Sequence, residues 1–115
     1  MIDDVFCKII NGELTSEFLY RDDEVVVIRD IHPHAPVHLL IIPVKHFDGI
    51  GDVTEHDGHI LETMVRVAHR VAGEQGLTKG YRLIINEGEH GGKLVPHLHM
   101  HLLGGRALGP KLVAE

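Results

Sequence analysis

The sequence predicts an α+β fold: about five strands, mostly antiparallel, with one main helix across one face of the sheet. Three observations carry this. His38-Leu39-Leu40-Ile41-Ile42 is an unbroken apolar run ending at Pro43, the pattern of a buried central strand. Between Glu55 and Gly76, Ile60, Leu61, Met64, Val67, Ala68 and Val71 recur at helical spacing, which gives one apolar face for the sheet. From Pro96 to Gly105, histidines alternate with apolar residues at the period of extended chain.

The remaining elements follow in order. Val5 to Asn11 reads as a short helix, with Phe6, Ile9 and Ile10 apolar and Gly12 just past its end. Phe18-Leu19-Tyr20 and Glu24 to Arg29 read as two strands around the polar turn Arg21-Asp22-Asp23. Pro33 and Pro36 make Ile31 to Val37 a loop. Thr54 suits the N-cap of the long helix and Gly76 its C-terminal stop. Tyr81 to Asn86 is a further strand, Glu87 to Leu94 a glycine-rich loop, and Val95 to Leu103 the histidine strand.

The 115 residues are expected to form one domain, 1–115, large enough for a real core. The net charge is −6 with no Lys/Arg cluster, which argues against a general nucleic-acid binder. A nucleotide ligand remains compatible, because a small pocket binds phosphate through local dipoles. A single cysteine, Cys7, excludes an internal disulfide framework and fits a reducing compartment. No apolar run approaches the ~20 residues of a spanning helix. The acidic start Met1-Ile2-Asp3-Asp4 carries no secretory signal pattern. These features together predict a cytoplasmic protein with no membrane attachment.

Eleven histidines are the compositional oddity. A regular strand would put His97, His99 and His101 on one face and Leu98, Met100 and Leu102 on the other. A merely polar face explains such strict alternation poorly. All three cannot readily chelate one ion from a regular strand, because His97 and His101 would lie about 13 Å apart along it whereas Zn–N bonds are about 2.0 Å; a metal would take one or two of them plus ligands from elsewhere. Nucleophilic and acid–base catalysis fits better. Imidazole titrates near neutral pH and forms covalent intermediates, and phosphorus is a suitable electrophile. Gly88, Gly91 and Gly92 in the preceding loop would let backbone N–H groups hold an oxyanion.

His97-Leu98-His99-Met100-His101-Leu102-Leu103 matches the histidine-triad pattern His-φ-His-φ-His-φ-φ, with φ apolar. Phe6-Cys7-Lys8-Ile9-Ile10, Asp30 to Pro36, His38 to Pro43, Lys45-His46, Gly80-Tyr81-Arg82 and Asn86-Glu87-Gly88 are similar to family segments in matching order. Gly104-Gly105-Arg106 followed by Leu108-Gly109-Pro110 resembles the tail of bacterial members of the HINT branch, the histidine-triad nucleotide-binding proteins. The resemblance covers nearly the whole chain. It implies a homodimer whose five-stranded sheets join into one of ten strands. It also implies a purine nucleotide pocket, and hydrolysis of nucleoside phosphoramidates to AMP or GMP and an amine, with no cofactor. By the same resemblance His99 is the nucleophile, and His101 contacts phosphate and shares proton transfer with His38. His97 orients the strand and His99. Asp30 accepts from the ribose hydroxyls, with Ile31 beside the base. Asn86 and the backbone of Gly92, Lys93 and Leu94 line the phosphate and leaving-group side, and Phe6, Ile9 and Ile28 wall the base pocket. Two other readings share these residues: a dinucleoside polyphosphate hydrolase, and a nucleotide-binding regulatory dimer with incidental hydrolysis.

The chain departs from the branch in places. The loop reads Gly92-Lys93-Leu94 where Gly-Gln-Ser or Gly-Gln-Glu is common, so no serine at 94 can help a leaving amine. Pro96 stands where tyrosine is common. Some bacterial relatives hold zinc through Cys-X-X-Cys, a later histidine and the first triad histidine; Cys7, His46 and His97 occupy three of those positions, with Asp4 at the fourth. The catalytic expectation uses no metal. His56, His59 and His69, on or near the helix, read as surface residues; His32 and His34, flanking Pro33, read as surface residues first and as an edge of the nucleotide pocket second.

Overall fold

The computed structural model describes residues 4–110 and 112–113. Its elements are α1 (Val5–Ile10), β1 (Tyr20–Arg21), β2 (Val25–Arg29), β3 (Val37–Pro43), α2 (His59–Glu74), β4 (Tyr81–Ile84) and β5 (Met100–Gly104). All neighbouring strands pair antiparallel in one sheet of order β1-β2-β3-β5-β4, so the apolar run 38–42 lies in the central strand as expected.

Both faces of the central strands are covered, which is why they read as continuous apolar sequence. Val25, Val27, Leu39 and Ile41 pack with Met64, Val67, Ala68 and Val71 of α2. Val26, Ile28, Leu40 and Ile42 face the other way, onto Phe6 and Ile10 of α1. Leu98, Met100 and Leu102 join the α2 side. The opposite parity, His99, His101 and Leu103, therefore falls on the α1 side, beside Ile28, Leu40 and His38.

Element boundaries differ from the sequence expectation for local reasons. The first turn shifts by one residue, because Asp22 Oδ1 accepts from the N–H groups of Glu24 and Val25 at 2.7 and 2.8 Å. The long helix starts at His59, after two 3₁₀ turns at Ile50–Asp52 and Glu55–Asp57, and Thr54 makes no side-chain cap. Gly76, at φ +75°, ends it as expected. The strand expected over Tyr81 to Asn86 ladders only to Ile84. The largest change is in the histidine segment, where only Met100–Gly104 is laddered. Pro96 has no N–H to offer, the chain bends at 95–97, and the Leu98 amide donates to Phe47 O at 2.7 Å instead of to a strand.

Candidate active site

On the α1 face of the sheet lies a cavity of about 620 Å³, between α1, the loop after β2 and the glycine loop. Phe6, Ile9 and Ile28 form an apolar wall, and Ile31 and Leu94 stand at its mouth, 86% and 93% exposed. Asp30, His38, His99 and His101 converge from the sheet, and Asn86, Gly92 and Lys93 close the far side. Every residue expected at the site is here except His97. His32 and His34, expected at the surface, are exposed but border the same cavity.

His97 breaks the expected row of three imidazoles. The bend at 95–97 precedes the regular alternation of β5, and the His97 ring swings into a fully buried position beside Asp4, Cys7 and His46. Its backbone, and not its ring, meets His99. The His97 carbonyl accepts from His99 Nδ1 at 2.7 Å, so the His99 proton sits on Nδ1 and the Nε2 lone pair is free. Phe6 meets the His99 ring edge-on, with centroids 5.0 Å apart, and limits its rotation. Burial pushes the His99 pKa below the ordinary imidazole range, against the opposing pull of the His97 carbonyl. At neutral pH His99 is therefore a neutral base.

His101 and His38 form a second unit. The antiparallel register sets Leu40 opposite His101, which brings His38, two residues earlier on the same face, to the diagonal position. His38 Nε2 lies 2.9 Å from His101 Nδ1 and 3.4 Å from Asp30 Oδ2, and His38 Nδ1 accepts from the His34 amide at 3.0 Å. Burial lowers the pKa of both rings. For His38 it outweighs the Asp30 carboxylate, and for His101, with His99 and His38 adding to it, it reaches about 4.

The glycine loop is less open than its sequence suggests. The Gly92 amide donates to Glu89 O at 3.0 Å and the Lys93 amide to Gly88 O at 3.1 Å, so two of the three expected phosphate donors are spent inside the loop. The Leu94 N–H lies outside these turns. Asn86 Nδ2 also ties the loop, donating to Gly91 O at 2.7 Å. Gly91 is required by space: a Cβ there would stand 2.1 Å from Glu87 O. Sequence reasoning missed the clasp around this loop. Glu87 accepts from the amides of Ile50 and Gly51, and the Lys93 ammonium bonds the Asp48 carbonyl beside Glu87. No local pattern announces it, because its parts lie some 40 residues apart.

The cluster around His97 fits a cation. Cys7 Sγ lies 3.4 and 3.5 Å from Nδ1 of His46 and His97, those two nitrogens are 3.2 Å apart, and Asp4 Oδ2 is 3.2 Å from each. Such separations are the edges of a tetrahedron around an ion bound at about 2.0–2.3 Å. His97 Nε2 reaches Pro43 O at 3.1 Å and His46 Nε2 reaches Asp48 Oδ1 at 2.7 Å, so both Nδ1 lone pairs turn inward, the outer-shell pattern of histidine ligands. Burial alone would raise the Asp4 carboxyl; the Cys7 amide, donating to Asp4 Oδ1 at 2.8 Å, works against it, and the carboxyl is held low. Asp30, His38 and His101 also lie close together, but hydrogen bonds account for their spacing.

An α+β fold that walls a cavity with a neutral, carbonyl-anchored histidine offers a nucleophile to a bound ligand, an arrangement suited to nucleophilic catalysis. The family model described as "Scavenger mRNA decapping enzyme C-term binding" matches residues 3–112. The chain is 48% identical over 109 residues, 94% of its length and 92% of the relative's, to a protein of Escherichia coli (strain K12) named purine nucleoside phosphoramidase. Its fold is similar to a HIT family hydrolase from Clostridium thermocellum, with TM-score 0.94 and 46% identity over 98% of this chain and 99% of that one. It is also similar to a histidine triad protein from Clostridium difficile, with TM-score 0.92 and 39% identity over 96% and 97%. The chain belongs to the histidine triad family.

Proposed function

We propose that this protein hydrolyses purine nucleoside 5′-phosphoramidates, cleaving the P–N bond between an AMP- or GMP-type nucleotide and an amine. The observation that carries this is His99. Its Nδ1–H is fixed on the His97 carbonyl, and its Nε2 lone pair is free at the wall of the cavity. The similarity to the Escherichia coli phosphoramidase supports the same reading. In the first step His99 Nε2 bonds to the α-phosphorus, and the P–N bond breaks with its electron pair going to nitrogen. The amine leaves after taking up one proton from solvent water. In the second step water attacks phosphorus, the bond to His99 breaks, and the attacking water's proton goes back to solvent. His101 faces the phosphoryl oxygens. Asp30 accepts from the ribose hydroxyls, while Phe6, Ile9, Ile28 and Ile31 sandwich the base. An ion held by Asp4, Cys7, His46 and His97 would brace α1 against the His97 bend and takes no part in these steps.

Two coarser features belong to the same proposal. β4 ends the sheet with half-buried Tyr81 and Leu83, an edge that a second copy would extend to ten strands. No helix among the described residues is long and apolar enough to cross a membrane, which accords with a cytoplasmic enzyme.

The deciding experiment compares turnover of adenosine 5′-phosphoramidate with that of diadenosine polyphosphates. Preferred cleavage of the phosphoramidate, with a nucleotidyl group trapped on His99 by acid quench, is the expected result. Preference for the polyphosphate would make the chain a dinucleotide hydrolase. AMP binding with turnover of neither would make it a regulatory module.

A further inference from the structure

Like His99, whose proton is held by the His97 carbonyl, His38 has its proton located by a backbone group that cannot change its own role. A backbone N–H only donates, and the His34 N–H donates to His38 Nδ1 at 3.0 Å. Nδ1 must therefore present its lone pair, and a neutral His38 carries its proton on Nε2. Two atoms lie within reach of that proton, His101 Nδ1 at 2.9 Å and Asp30 Oδ2 at 3.4 Å, and both serve as acceptors. The His101 proton is thereby forced onto Nε2. Because His101 lines the cavity, this Nε2–H is the donor the cavity receives.

We infer that the backbone N–H of His34 sets the tautomers of the His38–His101 pair, and that the pair serves the reaction as an aimed hydrogen-bond donor and not as a proton shuttle. The inference rests on the phosphoramidase reading for its use, but its geometry stands without it. A shuttle would pass the His101 Nε2 proton to the leaving group and refill His101 from His38. His38 would then need a new proton, and its only other nitrogen faces the His34 amide. It would be left an imidazolate beside the Asp30 carboxylate. Taking on an extra proton fares no better. At His38 Nδ1 it would oppose the His34 N–H, and at His101 Nδ1 it would oppose the His38 Nε2–H. The lowered pKa values of both rings agree with this.

The loop is built to hold this amide. Pro33 and Pro36 fix φ on either side of His34, and the Asp30 amide closes the loop base on His38 O at 3.0 Å. The His34 ring lies tilted over His38, with centroids 5.7 Å apart, and is exposed. The role assigned here belongs to its backbone, which makes His34 a positioning residue. It also matters more because two amides of the glycine loop are already spent, leaving fewer donors for the phosphoryl oxygens.

The test reads ring tautomers by ¹⁵N NMR of histidine-labelled protein at pH 7, without substrate. In the wild-type protein His38 and His101 are expected to show an unprotonated Nδ1 and a protonated Nε2. A protonated Nδ1 on either ring overturns the inference, whatever the protein hydrolyses. His34→Ala keeps the amide and is expected to keep this pattern. His34→Pro removes the N–H and is expected to give mixed tautomers at His38. Its kcat on adenosine 5′-phosphoramidate should fall at least about tenfold below that of His34→Ala, since a mis-set tautomer spoils the aim of the donor, while KM stays within about twofold. A folded His34→Pro protein with the wild-type pattern overturns the inference. Should His34→Pro not fold, the wild-type tautomers decide alone.

Discussion

His38 and His101 approach to 2.9 Å, and His46 and His97 to 3.2 Å, so both pairs of imidazoles lie within hydrogen-bonding reach. Their protons are arranged in opposite ways. In the first pair one ring donates and the other accepts, and a backbone amide fixes which. In the second, both rings spend their N–H outward, on Pro43 O and Asp48 Oδ1, and two lone pairs face each other beside a carboxylate and a thiol. The first pair is complete as it stands. The second shares the Cys7 thiol proton among several acceptors, and the same four atoms would hold a metal ion. Under the proposed function, similar residues make a reacting surface in one place and a brace in the other. What separates them is where the outer nitrogen of each ring is tied.

The largest expected effect tests the division itself. His99→Ala removes the covalent route and should lower turnover by about three orders of magnitude or more, a barrier change above ~4 kcal/mol. AMP binding should survive, because it rests on Asp30 and the apolar wall. His46→Ala, in the brace, should keep turnover within several-fold and lower Tm instead. Steady-state rates with thermal melts of both variants check this. If His46→Ala loses turnover as deeply as His99→Ala, the two clusters are one machine and the comparison fails.

The next test fills or empties the brace. Zinc at about 100 times its Kd stabilises a folded state by ~2.7 kcal/mol when only that state binds it. For a chain of this size that corresponds to roughly 10 °C or more in Tm. Zinc should raise Tm, EDTA should reverse the rise, and turnover should stay level throughout. Asp4→Ala should abolish the zinc-dependent shift. Loss of activity on chelation, restored by zinc without refolding, would move the ion from brace to chemistry.

Asp30, 3.4 Å from His38 Nε2, is proposed to hold the ribose, and its removal should cost less. Losing one charge-assisted hydrogen bond typically costs about 1.5–3 kcal/mol, so Asp30→Ala should weaken AMP binding by about tenfold or more. Calorimetry measures it directly. An unchanged Kd would free Asp30 from the ribose and leave it only as a partner of His38.

Much of this was legible in the sequence because period and position carry it. Residues 38–42 could only be a buried strand, and the parity of 98, 100 and 102 placed His99 and His101 on the opposite face. The pocket residues Phe6, Ile9, Ile28 and Asp30 came through a pattern shared along the chain. The failures share one cause. The turn of His97, the spent amides of Gly92 and Lys93, and the His34 donor are all matters of backbone direction. A side-chain alphabet says little about which way an N–H points. Pro96 was the available warning: a proline inside a supposed strand marks where the ladder stops.

The smallest effect concerns the pH dependence of stability. Burial and the neighbouring imidazoles hold His101 at about 4 in the native state, whereas an unfolded histidine titrates near 6.5. Below about 6.5 the unfolded chain therefore binds a proton that native His101 refuses, and stability falls as pH drops toward 4, then levels off. The ring is only half-buried, so solvent screening reduces its contribution to about 1 kcal/mol. His101→Asn keeps a polar group at the position and removes the titration. Melts of wild-type and variant between pH 7 and pH 4, both in zinc-saturated buffer, keep the brace in the same state on each side. The wild-type protein should lose more Tm over this range than the variant, with the difference opening below about pH 6.5. Parallel curves would mean that the His101 ring accepts its proton as readily in the fold as out of it, and the pair would lose the fixed polarity that sets it apart from the brace.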